Sequence, residues 1–220
     1  MSAPPVQLLL LAKAPVPGRV KTRLCPPWTF EQAAGVAAAA LADTVDALTA
    51  TPAVARTLVL DQPDGAAGRP VVPPGWRLAG QRGGPLGERI AAAYLDTALP
   101  GVASLLVGMD TPQLTPAHLG AAAARLDGAD AVLGPARDGG WWLLGLRDPR
   151  AGAAVAGVPM STARTGADTL TALRGHGLSV ARTATLRDVD TVADAIAVAA
   201  AGPGGRFARL VAGLPAGAAR

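Results

Sequence analysis

With 220 residues, half of them apolar but only 3% aromatic, the chain has the material for one α/β domain whose core is built from Ala, Val and Leu. It carries 20 Lys and Arg against 16 Asp and Glu. The basic excess is neither spread along a helix face nor interleaved with aromatic residues, which argues against a nucleic-acid surface. One cysteine, Cys25, excludes an internal disulfide and a Cys-based zinc cluster. The apolar run Val6 to Ala12 is far short of the ~20 residues of a membrane span and has no basic segment ahead of it, so a cytoplasmic protein with no membrane partner is expected.

In chain order, apolar stretches ending at Gly, Pro or Asp predict strands over Gln7 to Ala12, Arg56 to Asp61, Ala103 to Asp110, Ala129 to Gly134, Trp141 to Leu146 and Leu178 to Leu186. Ala- and Leu-rich segments between them predict helices over Thr29 to Thr49, Pro85 to Ala98, Pro116 to Leu126, Ala163 to Arg174, Val192 to Ala200 and Arg206 to Ala212. Thr115 before Pro116, and Thr191 three residues before Asp194, have the pattern of helix caps. The Gly- and Pro-dense stretch Gln62 to Gln81 reads as a loop at a mobile rim, with a short strand near Trp76 to Leu78. Asp138-Gly139-Gly140 reads as a tight hairpin turn. Alternating strands and helices predict a mostly parallel, mixed sheet with helices on both faces, in a single domain over 1–220 with its core at about 6–200 and a C-terminal helix and tail at 201–220.

The first strand opens into Lys13-Ala-Pro-Val-Pro-Gly-Arg19-Val-Lys21-Thr-Arg23, whose four cations equal the whole formal charge of +4. Like charges packed so closely point to a polyanion such as a di- or triphosphate, the alternative being a solvated basic loop. Ligands of open α/β sheets lie outside the carboxyl ends of the strands, so the acids there matter: Asp61, Asp110, Asp138, Asp188 and Asp190. Asp110 ends a continuously apolar, central strand and is a candidate ligand for Mg²⁺ or Mn²⁺, with Asp190 its partner if the last strand runs beside it. Each could instead be a helix-start cap. Asp138 is a candidate catalytic base or only a turn residue, and Trp141 and Trp142 should face opposite sides of their strand, one of them lining an acceptor pocket with Gly139 and Gly140. Gly83, Gly84 and Gly87 open a helix carrying Glu88 and Arg89, a weak phosphate- or base-binding pattern. His118 and His176 have no partner suggesting a role.

Five motifs at consistent spacing, LAKAPVPGRVKTRL, LGER at 86 to 89, VGMDTPQLTP at 107 to 116, VLGPARDGGWWLLGL at 132 to 146 and LRDVDT at 186 to 191, span nearly the whole chain. Their combination resembles the arsenosugar-biosynthesis-type bacterial glycosyltransferases, a family formerly classed as a domain of unknown function. The resemblance implies a Rossmann-like three-layer α/β/α sandwich of the GT-A, nucleotide-diphosphosugar transferase type, related to the molybdenum cofactor and 2-phospholactate guanylyltransferases. It implies Asp110 and Asp190 as metal-side residues and Asp138 near the acceptor. It also implies nucleotide or phosphate contacts from Ala12, Lys13, Gly18, Arg19, Lys21, Arg23, Gly87 and Arg89, with Lys21 catalytic alongside Asp110 and Asp138. Pro15 and Pro17 stand where such nucleotidyltransferases carry glycines, so side-chain cations should do more of the phosphate binding here than backbone amides. The activities implied are glycosyl transfer from a nucleotide sugar to a small-molecule acceptor or, alternatively, nucleotidyl transfer from an NTP. A non-catalytic nucleotide-binding protein and a homodimer are both compatible with the sequence.

Overall fold

The computed structural model describes residues 4–61, 73–202 and 204–215. Its elements run β1 (Val6–Lys13), α1 (Phe30–Ala50), β2 (Ala55–Asp61), β3 (Arg77–Gly80), α2 (Leu86–Thr97), β4 (Ala103–Gly108), α3 (Pro116–Arg125), β5 (Ala131–Pro135), β6 (Trp141–Leu146), α4 (Thr165–Gly175), β7 (Val180–Arg182), α5 (Val192–Ala201) and α6 (Arg206–Ala212). The strands form one sheet in the order β3-β2-β1-β4-β6-β5-β7. β6 alone runs against its neighbours, because the Asp138 turn folds β5 back on it; all other pairings are parallel.

The central strands are apolar on both faces because both are covered. Leu8 and Leu10 of β1 pack with α1 and α3, whereas Leu9 of β1 and Leu106 of β4 pack with Ile90 and Tyr94 of α2 and Leu173 of α4. The outer side of α1 buries Ala33, Val36 and Ala40 under α5 and α6, a further layer holding Trp28, Phe207 and Val211. That sandwiching explains why α1 is apolar nearly all round. Thr29, Thr115 and Thr191 each close a capping box, with Gln32, His118 and Asp194 respectively. The Thr115 and Thr191 caps therefore form as the sequence predicts, and His118 is accounted for as a capping side chain that also meets the ring of Trp142 edge-on.

Two expectations change. The last strand is only three residues long and lies at the sheet's far edge beside β5, separated from β4 by β5 and β6, so it does not run beside the strand that leads to Asp110. A 3₁₀ helix over Pro149–Val155, absent from the sequence reading, lies against α2. Residues 62–72 of the expected rim and the tail beyond residue 215 lie outside the described residues. The strand expected near Trp76 is β3.

Candidate functional site

A crevice of about 610 Å³ opens at the carboxyl ends of β1 and β4. The loop after β1 enters it through Lys21, whose backbone is left-handed at φ 50°, ψ 33°. That conformation costs a non-glycine residue about 1 kcal/mol or more and is kept only where neighbours enforce it. They do so here through the side chain. The Lys21 ammonium, 9% exposed, donates to Asp110 Oδ1 at 2.6 Å and Asp190 Oδ1 at 3.4 Å, and to the Val189 carbonyl. Burial opposes its charge, but the Asp110 and Asp190 carboxylates outweigh burial and hold its pKa above the ordinary value. Arg23 reaches the other oxygen of Asp190 at 3.2 Å. Lys21 is thus an internal counter-ion in this structure and not an open phosphate ligand. Among the described residues, Lys13 and Arg19 form no ion pair, and they remain for an incoming anion while lining the crevice. The loop's Val16 and Arg19 N–H groups close turns onto Ala14 and Val16 carbonyls.

Asp110 and Asp190 meet although β7 is remote. After β7 the chain returns in extended form across the ends of β5 and β4, bridging Leu186 to Ala136 and bonding the Val189 N–H to the Asp110 carbonyl at 2.9 Å. Val189 is buried, so the period-2 alternation turns Asp188 and Asp190 to the opposite side, into the crevice. Neither Asp110 nor Asp190 is a helix cap, since Thr115 and Thr191 fill those positions.

Asp188 is one of the strand-end acids of the sequence, to which the sequence reading assigns no role. Its Oδ1 is buried and accepts no hydrogen bond among the described residues. Burial first, then the Asp110 and Asp138 carboxylates, push its pKa up to about 8. The apolar residue between two acids in Asp-Val-Asp was the signal that could have found it. Among the described residues no three His, Cys, Asp or Glu side chains enclose a metal ion. Mg²⁺ and Mn²⁺ sites of this class need only one or two carboxylates plus substrate phosphate and water, and an orphaned carboxylate oxygen beside Asp110 and Asp190 fits such a cation.

Asp138 is the turn residue, its Oδ1 accepting from the Gly140 N–H at 2.8 Å, and it also lines the crevice with Gly140 and Trp141. Trp142 is buried, its indole N–H bonded to the Ala184 carbonyl, while Trp141 bonds Thr169 and faces the crevice, so the two divide as predicted. Gly139 sits behind the pocket. Its φ is +90°, and a Cβ there would lie 2.0 Å from the Ala163 carbonyl oxygen, so it lets the Met160 to Ala163 loop close over the turn. Gly87 and Gly18 are likewise not crevice residues. Gly87 is buried, where a Cβ would meet the Val155 and Ala156 carbonyls at 2.7 Å, and Gly18 serves an exposed turn at φ +74°. Ala12 and Arg89 do line it, with Gln81 between them. Gln81 is a further contributor the sequence did not single out.

A protein from Desulfovibrio desulfuricans G20, assigned provisionally as a nucleotide-diphospho-sugar transferase, has a crystal structure that matches at TM-score 0.80 and 27% identity over 94% of this chain and 92% of that one. Rv0371c from Mycobacterium tuberculosis H37Rv, crystallised with manganese, matches at TM-score 0.52 and 18% identity over 88% of this chain and 98% of that one. CMP:2-keto-3-deoxy-manno-octonic acid synthetase complexed with CTP matches at 0.51 and 9%, over 86% and 94%. The last two likenesses are of fold alone. No curated protein matches the chain in sequence. The fold is that of the nucleotide-diphospho-sugar transferases. A family model described as an uncharacterized protein conserved in bacteria covers residues 44–162, more than half of the chain, and the chain belongs to that family, DUF2064.

Proposed function

We propose that this protein is a divalent-cation-assisted glycosyltransferase that moves a sugar from a nucleotide-diphosphosugar donor to a small-molecule acceptor, as in the arsenosugar-type enzymes its motifs resemble. The observation that carries the reading is the meeting of Lys21, Asp110, Asp188 and Asp190 at the carboxyl end of the central strands, beside the cations Lys13 and Arg19. Lys13, Arg19 and Arg23 bind the donor diphosphate. Asp110 with Asp190 or Asp188 would hold Mg²⁺ or Mn²⁺, which supplies charge neutralisation to the departing nucleoside diphosphate. Lys21 keeps those carboxylates oriented until substrate arrives. The acceptor hydroxyl lies against Gly140 and Trp141 and gives its proton to Asp138, while its oxygen bonds the anomeric carbon and the carbon–phosphate oxygen bond breaks.

The test is a turnover panel of nucleotide sugars and NTPs with Mg²⁺ or Mn²⁺. Metal-dependent release of nucleoside diphosphate from a nucleotide sugar, lost in Asp110→Asn, is expected. Pyrophosphate release from an NTP would assign nucleotidyl transfer instead, and full metal-stimulated turnover by Asp110→Asn would remove that residue from the site.

A further inference from the structure

The returning segment that delivers Asp188 and Asp190 is bonded along one edge to the turn that follows β4. Its Val189 N–H donates to the Asp110 carbonyl at 2.9 Å, and its Arg187 carbonyl accepts from Gln113 Nε2 at 2.7 Å, across 74 positions of sequence. Groups two residues apart on an extended chain point to the same edge, so the two bonds are successive rungs. Pro112 has no N–H to offer that edge, and the donor that the turn does supply is the Gln113 side-chain amide. Gln113 Oε1 is buried and accepts nothing among the described residues. An unpaired buried oxygen is costly, so the Nε2 bond is what this side chain contributes. The turn itself is anchored: the Leu114 N–H bonds the Thr111 carbonyl at 3.0 Å, and Thr115 then caps α3.

Asp188 lies between the two rungs. Lys21 grips Asp110, and Lys21 and Arg23 grip Asp190, whereas Asp188 forms no ion pair among the described residues and its buried Oδ1 has no partner. The Asp110 and Asp138 carboxylates oppose its charge in that place. Its position therefore depends on the main-chain bonds on either side of it. We propose that Gln113 is a positioning residue for the acidic cluster: by holding the Arg187 carbonyl it sets Asp188, and through the same segment Asp190, against Asp110 at the spacing a divalent cation requires. The proposal rests on the cation-assisted reading above. Gln113 does not line the crevice, so it acts only through the segment it holds. Without its donor the segment is tied to the turn at Val189 alone, Asp188 moves away from the like charges, and the carboxylates that would share a cation spread apart.

Hydrogen exchange and pyrophosphate binding by the full chain test it, with Gln113→Met, which keeps the length of the side chain and removes the donor. In metal-free protein the Val189 amide is expected to exchange about tenfold or more faster in the variant, while the Leu106 amide of the central strand β4, a monitor of global unfolding, changes far less. Calorimetric titration with inorganic pyrophosphate, once in EDTA and once in Mn²⁺, separates the cations of the basic loop from the carboxylates. Affinity in EDTA should be unchanged, because Lys13 and Arg19 are untouched; the factor by which Mn²⁺ strengthens binding should fall about tenfold or more. Gln113→Ala should do the same and covers the case in which Gln113→Met does not fold, as judged by circular dichroism. A lower melting temperature with unchanged Val189 exchange, or with an unchanged Mn²⁺ factor, is the result of a merely structural side chain and would overturn the positioning role alone. Wild-type pyrophosphate binding that is absent, or that Mn²⁺ does not strengthen, would overturn the cation-assisted reading and the positioning role with it.

Discussion

Asp188 shows how one side chain's surroundings set a pH response. Its carboxyl is raised from an ordinary 3.8 to about 8 in the folded protein, so the native state favours the protonated form while the unfolded chain releases its proton near pH 4. The stabilisation from that bound proton is fully present below the unfolded value and is lost as pH rises through 8. Asp188→Asn imitates the protonated group. In metal-free thermal melts it should match the wild type near pH 4 and melt higher near pH 8; equal melting temperatures at both pH values would refute the shifted carboxyl. Gly139 makes a different demand. Its positive φ and the 2.0 Å approach of a Cβ to a main-chain oxygen leave no side chain to yield. Gly139→Ala should cost about 2 kcal/mol or more in urea unfolding. The acids themselves were legible from their place at strand ends, and Asp110, Asp138 and Asp190 do converge. Which one is left unpaired was not, because pairing depends on where Lys21's left-handed backbone delivers its ammonium.

At the level of elements, local signals carried furthest. A cap is a short-range bond, so Thr115 and Thr191 could be read directly, and Thr191→Ala should destabilise the protein by about 1 kcal/mol, with an unchanged denaturant slope. A larger change in the slope would mean that α5 does more than end on its cap. Strand ends were harder. β7 stops after Arg182 because pairing with β5 ends there, and nothing within Leu178 to Leu186 announces where a partner runs out. The 3₁₀ turn at Pro149–Val155 lacks any periodic pattern and is held by its packing on α2, where Gly152 meets the Tyr94 side chain.

For the molecule as a whole, the layered α/β class followed from the alternation of apolar runs and Ala-rich helices. The strand order did not, because it is set by crossovers between segments far apart in the chain. The basic loop likewise divides only in three dimensions: all four cations line the crevice, but Lys21 and Arg23 are paired with carboxylates, whereas Lys13 and Arg19 form no ion pair among the described residues. Nucleotide diphosphate binding should therefore weaken as salt rises from roughly 0.05 to 0.5 M. Arg19→Ala should lower both the affinity and its salt sensitivity, and unchanged affinity at physiological salt would remove Arg19 from the site.

The Lys21 ammonium and the Val189 carbonyl it holds are 168 positions apart. In synthesis order, the basic loop and Asp110 leave the ribosome long before Asp188 and Asp190, so the nascent chain carries the loop and the first carboxylate while the rest of the cluster is still unmade. The site closes only when the returning segment lays Val189 against Asp110. A product that stops short of residue 188 has no way to display the complete cluster, whatever fraction of the sheet it forms.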